Sequence, residues 1–141
     1  MENIGQLIKQ ISNRLIRDLN KNLKQFDITF SQLQVLVVIQ ASNGAICQKE
    51  IANTLKIKHT SLIDILKVLE RKELIIRSTS EENAKFREVS LTSKSRDILK
   101  QMDFGKYKTQ EMIANTLGFS SVEDMINKFK LVLNKLESGD Y

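Results

Sequence analysis

The stretch QKEIANTLKIKHTSLIDI, residues 48–65, decides how the rest of the chain is read. Two short helices joined by a tight turn cross at a fixed angle only where a small residue sits at their contact and apolar residues fill the inner positions around it. Counted from Gln48 as position one, Ala52 takes the small position five. Ile51, Leu55, Ile57, Leu62 and Ile65 take the inner positions 4, 8, 10, 15 and 18, and all are apolar. This is the spacing of a helix-turn-helix. The turn position, often glycine, holds Lys56.

The pentapeptide IANTL at 51–55 recurs at 113–117, where the same spacing starts at Gln110. Ile113, Ala114, Leu117 and Phe119 fit, and Gly118 supplies a turn glycine. Positions 15 and 18 become Asp124 and Asn127, which cannot line a helix–helix core. The second copy is instead the end of a helix at Leu117-Gly118. A capping box at Ser120 with Glu123 follows, then a final amphipathic helix carrying Val122, Met125, Ile126, Phe129, Val132, Leu133 and Leu136.

Outward from the motif, the second helix is expected from about 60 to 72. Two β-rich segments at 74–79 and 86–91, separated by the polar run 80–85, predict a hairpin, and a hairpin directly after a recognition helix is a wing. Ser93 is placed to cap a further helix with Ile98, Leu99 and Met102 on one side. It continues to Leu117, with Gly105 marking a bend or a break. Towards the N-terminus, Ile4, Leu7, Ile8, Ile11, Leu15, Leu19, Leu23 and Phe26 recur at helical spacing. Thr29 and Gln32 have capping-box spacing ahead of the apolar run 33–39, for which a buried helix competes with a strand. Ser42-Asn43-Gly44 ends that run, and an extended piece lies around Ala45-Ile46.

Composition bounds the function. A chain of 141 residues with 41% hydrophobic and 28% charged residues is that of an ordinary globular domain. It has no apolar run long enough to span a membrane and no signal-peptide pattern at its start, and a cytoplasmic location is expected. The single cysteine excludes an internal disulfide. Net charge is +5, and residues 45–100 hold 12 Lys/Arg against 8 Asp/Glu, a net of +4. The excess therefore sits where a polyanion could use it, although a mildly basic surface explains it equally. No phosphate loop, nucleophile motif or metal-ligand spacing is present, so neither an enzyme nor a bound cofactor or metal is expected.

Four separated stretches now resemble the MarR family of transcriptional regulators. They are Phe26-Asp27-Ile28-Thr29, Gln48-Lys49-Glu50-Ile51-Ala52, the run from Leu66 to Arg77, and Val89-Ser90-Leu91-Thr92. The resemblance implies a mostly α fold with a small β wing, a winged helix-turn-helix core flanked by N- and C-terminal dimerisation helices. One domain would cover 1–141: residues 1–28 and 93–141 chiefly for dimerisation, 29–92 as the core, and the wing at about 74–92. It implies a homodimer, and double-stranded DNA as partner at a pseudo-palindromic operator. The recognition helix would enter the major groove and the wing an adjacent minor groove. In many members a small ligand or cysteine oxidation releases the DNA.

The DNA-facing chemistry departs from the family more than the scaffold does. The wing-tip Asp-x-Arg is replaced by Asn83 and Lys85, beside Glu81 and Glu82. Asp64 stands where many members have Arg, and Glu73 and Ser95 stand where glycine is common. These changes motivate a competing expectation: a winged-helix protein with weakened DNA binding that acts through protein contacts.

Short polar and basic side chains on the first turns of a recognition helix are what base reading needs. Lys58, His59, Thr60, Ser61, Asp64 and Lys67 fit that need, against the plainer alternative of a capped helix start with a solvated face. Arg77, Lys85 and Arg87 are the wing candidates, with a structural ion pair as the alternative for Arg77. Ile4, Leu7, Ile8, Ile11, Met125, Phe129, Val132 and Leu136 are the candidates for the dimer interface. Cys47, just ahead of a helix, is either a redox-sensitive thiol or an inert small residue at a cap.

Overall fold

The structure is a computed structural model. It describes residues 2–78 and 87–141, with the backbone alone at 103–107. Its helices are α1 (Ile4–Leu23), α2 (Phe30–Ala41), α3 (Gln48–Leu55), α4 (His59–Arg71), α5 (Ser93–Leu117) and α6 (Val122–Ser138). The strands β1 (Ala45–Cys47), β2 (Ile75–Arg77) and β3 (Glu88–Leu91) form one antiparallel sheet in the order β1-β3-β2. The chain is mostly helical with a small β wing, as its sequence predicts. It divides into two compact units, residues 1–99 and 100–141, with the boundary inside α5.

In the first unit α2 is the hub. Its start is fixed by the expected capping box: Thr29 Oγ1 accepts from the Gln32 amide at 3.3 Å, and Gln32 Oε1 accepts from the Thr29 amide at 3.2 Å. That closure selects helix over strand for the β-branched run behind it. Leu33, Val35, Leu36 and Ile39 are buried because α1, α3, α4, β1 and β3 all pack on α2. In α1 the pattern changes along its length. Leu23 is buried against this core, whereas Ile4, Leu7, Ile8 and Ile11 are exposed.

The helix-turn-helix is α3 and α4. Ile51 and Ala52 are buried, and the turn closes through Lys56, which takes the left-handed conformation at φ 55° that glycine usually supplies. The hairpin expected at the wing is β2 and β3, with Ile75 opposite Leu91 and Arg77 opposite Val89. The piece at 45–47 does more than run extended. It pairs with β3, with Ile46 opposite Val89.

Two caps sit one residue away from their expected places. Thr92, not Ser93, starts α5: Thr92 Oγ1 accepts from the Ser95 amide at 3.2 Å, and Ser95 Oγ accepts from the Thr92 amide at 3.1 Å. Ser95 is fully buried in this reciprocal pair, which gives a side chain at a glycine-prone position a task. At α6, Ser121 rather than Ser120 accepts from the Asp124 amide, at 3.0 Å, while the Ser120 hydroxyl donates to the Asp124 carboxylate at 3.1 Å. Gly105 breaks nothing, since α5 is continuous.

The second unit holds the later part of α5 and α6. Phe119 and Phe129 pack as tilted rings 6.1 Å apart, with the Lys128 ammonium 5.6 Å from the centre of Phe119. Along α6, Ile126, Phe129, Val132, Leu133 and Leu136 form an exposed apolar stripe. Met125, grouped with that stripe by its spacing, is only 5% exposed and belongs to the chain's own core. No helix among the described residues is long and apolar enough to cross a membrane.

The exit from α4 is tied down from three sides. Lys72 Nζ donates to the Asp27 carbonyl and, at 3.1 Å, to Gln32 Oε1. Lys94 Nζ donates to the Lys72 carbonyl at 3.1 Å, and Thr92 Oγ1 donates to the Glu73 carbonyl at 2.8 Å. Glu73 itself is held at φ 61°. A left-handed non-glycine residue costs roughly 1–2 kcal/mol, part of which glycine gives back through its freedom in the unfolded chain. Glu73→Gly should therefore raise stability by about 0.5–1 kcal/mol. The urea midpoint checks this, and a lower midpoint contradicts the strain.

Candidate nucleic-acid interface

The sequence of α4 sorts its residues by period. Leu62, Leu66 and Leu69 are fully buried on one side. Lys58, Thr60, Ser61, Asp64, Lys67 and Arg71 are exposed, and His59 is half-buried. Thr60, Asp64, Lys67 and Arg71 follow one another at steps of four, three and four, so they share a face. From Thr60 to Lys67 that face runs about 10 Å at the helical rise, short enough to lie within a major groove about 12 Å wide.

These side chains are unspent. Among the described residues, no hydrogen bond or ion pair engages the side chains of Thr60, Ser61, Asp64 or Lys67. Two other helical aspartates are paired: Asp18 with Arg14 at 3.2 Å and Asp124 with Lys128 at 3.3 Å. The outer face of α4 thus offers two hydroxyls, a carboxylate and an ammonium with their full bonding capacity open. Arg71 ends the same face and is not among the residues expected from sequence; its step of seven from Asp64 is the signal that could have found it.

The wing candidates divide. Arg77 does not point outward as a free cation. Its guanidinium grips Glu70 of α4 with both nitrogens of its fork, Nη2 to Oε1 at 3.0 Å and Nε to Oε2 at 3.2 Å, and only 13% of its side chain is exposed. The alternative of a structural ion pair is the one the structure shows, and it ties the recognition helix to strand β2. Arg87, just ahead of β3, is half-buried, its Nε has no hydrogen-bond partner among the described residues, and its carbonyl accepts from the Gln48 amide at 3.0 Å. Lys85 lies outside the described residues.

Cys47 caps α3 without a side-chain bond to a backbone amide of the helix, and its thiol donates to the Glu50 carboxylate at 3.4 Å. The interface candidates Ile4, Leu7, Ile8, Ile11, Phe129, Val132 and Leu136 are all at least 42% exposed, far more than apolar side chains in a finished core. They lie in the two separate units, α1 in one and α6 in the other.

The helix pair and the three-stranded sheet define a winged helix-turn-helix. Residues 26–85 match the model of the MarR family. Over the whole length, the fold is similar to that of MepR from S. aureus in a complex with DNA, at 23% identity, covering 99% of each chain with a TM-score of 0.79. It is also similar to the reduced form of MarR from E. coli, at 25% identity over 96% of this chain and 97% of that one, TM-score 0.69. A mutant E. coli MarR complexed with operator DNA matches at 23% identity over 94% and 92% of the two chains, TM-score 0.71. Comparison with curated protein sequences gives no match. Residues 26–85 thus match the MarR family, and the fold is similar from end to end to that of solved MarR-family regulators.

The Glu70–Arg77 pair also sets a pH dependence. The hydrogen bond from Arg77 lowers the Glu70 carboxyl below its ordinary value of 4.5; partial burial opposes this, and the charges of Arg77 and Arg87 add to it. A carboxyl depressed in the folded state stabilises above the unfolded value and loses that contribution as pH falls through the folded one. Wild type should thus exceed Glu70→Gln at pH 7 by at most about 1 kcal/mol, because Glu70 is nearly half exposed and solvent screens the pair. The gap should close once pH falls well below 4.5. Urea midpoints at several pH values measure it, and a gap that widens on acidification contradicts the pairing.

Proposed function

We propose that this chain is a DNA-binding transcriptional regulator, a homodimeric repressor of a pseudo-palindromic operator, working in the cytoplasm and not an enzyme. One observation carries the proposal: the outer face of α4 keeps Thr60, Ser61, Asp64 and Lys67 exposed and unbonded while its inner face is fully buried. Base reading requires donors and acceptors held on a rigid element and not already satisfied by the protein. The complexes of MepR with DNA and of MarR with operator DNA supply the analogy for how such a face is used.

The dimer rests on a second observation. The apolar residues left open on α1 and α6 exceed what a monomer normally exposes, and a second copy of the chain is the partner the reading assigns to them. Lys58 at the cap of α4, Arg87 near the wing and, on sequence grounds, Lys85 are assigned to phosphate contacts. His59 belongs to the same N-terminal turn. Arg77 is assigned to holding the wing against α4. Release by a small ligand, or by oxidation of Cys47, the only thiol, belongs to the same reading.

Asp64 favours a second reading, in which DNA binding is weakened and the protein acts through protein contacts, since a free carboxylate on this face repels phosphates.

Binding of the purified dimer to a fragment from upstream of its own gene, with a scrambled control at two salt concentrations, separates the two. Retention should be selective and should weaken steeply with salt. Ser61→Ala should lose about 1–3 kcal/mol on the selected fragment only. Lys58→Ala should weaken both fragments alike and reduce the salt slope by about one. A folded dimer that retains neither fragment at low salt establishes the protein-contact reading instead.

A further inference from the structure

We infer that Asp64 sets the sequence preference of the recognition helix by accepting a hydrogen bond from the exocyclic amino group of a cytosine in the major groove. This inference deepens the DNA-binding reading and rests on it.

Asp64 sits in the middle of the exposed face of α4, four residues after Thr60, three after Ser61 and three before Lys67. Among the described residues its carboxylate has no partner, as is also true of Asp97 on α5. Asp18 and Asp124 each close an ion pair with a cation four residues away, Arg14 and Lys128. The positions four away from Asp64 are Thr60 and Val68, which carry no charge. Lys67, three away, makes no bond to it, and no other described residue does. The structure therefore leaves a carboxylate in the centre of the face without a bonded partner among the described residues.

A carboxylate brought to DNA is acceptor-only and is repelled by the phosphates, so it weakens binding unless it meets a donor. The major groove presents two: the N4 amino group of cytosine and the N6 amino group of adenine. On adenine the N6 donor is flanked by the N7 acceptor, whose lone pair faces the second carboxylate oxygen. Guanine shows only the acceptors N7 and O6, and thymine shows the O4 acceptor beside a methyl group. Cytosine is the one base whose own groove edge is a donor without an acceptor next to it. The same charge that weakens contact with DNA in general thus converts into discrimination. A half-site with cytosine at this position repays the repulsion, and the other three bases do not.

The test is selection from a random duplex library with wild type, Asp64→Ala and Asp64→Asn, followed by affinities on the selected site and on single-base variants of it. Asp64 is exposed and unbonded, so both variants are expected to fold, which circular dichroism checks. Wild type should select cytosine at one position of each half-site and lose roughly tenfold or more in affinity when that base is replaced. Asp64→Ala should lose the preference at that position and keep the rest of the consensus. Asp64→Asn should shift it towards adenine, which an amide can meet at both N6 and N7. An unchanged consensus in Asp64→Ala, including one bound more tightly across all sequences, overturns the cytosine contact and leaves the DNA reading standing. A wild-type dimer that enriches no sequence overturns the DNA reading and this inference with it.

Discussion

Everything at the proposed interface depends on one constraint: α4 can bury only one side. Leu62, Leu66 and Leu69 are fully buried, and each such side chain contributes about 2 kcal/mol to holding the helix down. With that side fixed, the helical period leaves Thr60, Ser61, Asp64, Lys67 and Arg71 facing outward. The polar chemistry of the outer face is then set by what surrounds it, and no described residue bonds to the side chains of Thr60, Ser61, Asp64 or Lys67. Burial on one side and unsatisfied polar groups on the other are two consequences of the same spacing.

A recognition helix is useful only if its orientation relative to the wing is held. Here that task falls to polar contacts at its far end. Glu70 receives both arms of the Arg77 fork, joining the helix to β2. Lys72 reaches back to the Asp27 carbonyl and to Gln32 at the start of α2, while Thr92 and Lys94 close on the carbonyls of Glu73 and Lys72. Residues that look like surface charges in sequence therefore act as fasteners. That is also why Arg77, a basic residue on a wing strand, is a poor candidate for touching DNA directly.

What was legible in the sequence was local. The helix-turn-helix follows from Ala52 and its apolar neighbours at fixed offsets, and the start of α2 from the three-residue spacing of Thr29 and Gln32. The misplaced caps of α5 and α6 were each one residue off because adjacent residues, Thr92 and Ser93 or Ser120 and Ser121, compete for the same role with similar side chains. The pairing of 45–47 with β3 joins residues about forty apart, and a three-residue strand carries too little pattern to announce a partner. Met125 has the spacing of the α6 stripe yet is buried, since periodicity gives a face and not its occupant. At the site, the exposure of the α4 residues was legible, whereas the capture of Arg77 by Glu70 needed the geometry of helix against strand.

The most direct test of the central claim is to titrate the isotope-labelled protein with a short duplex selected by it and follow its amide resonances. If the outer face of α4 is the reading surface, the largest shifts should fall on residues 58–67 and those flanking the wing, with α6 little changed. Shifts concentrated on α6 or the first half of α1, with α4 unmoved, would contradict it.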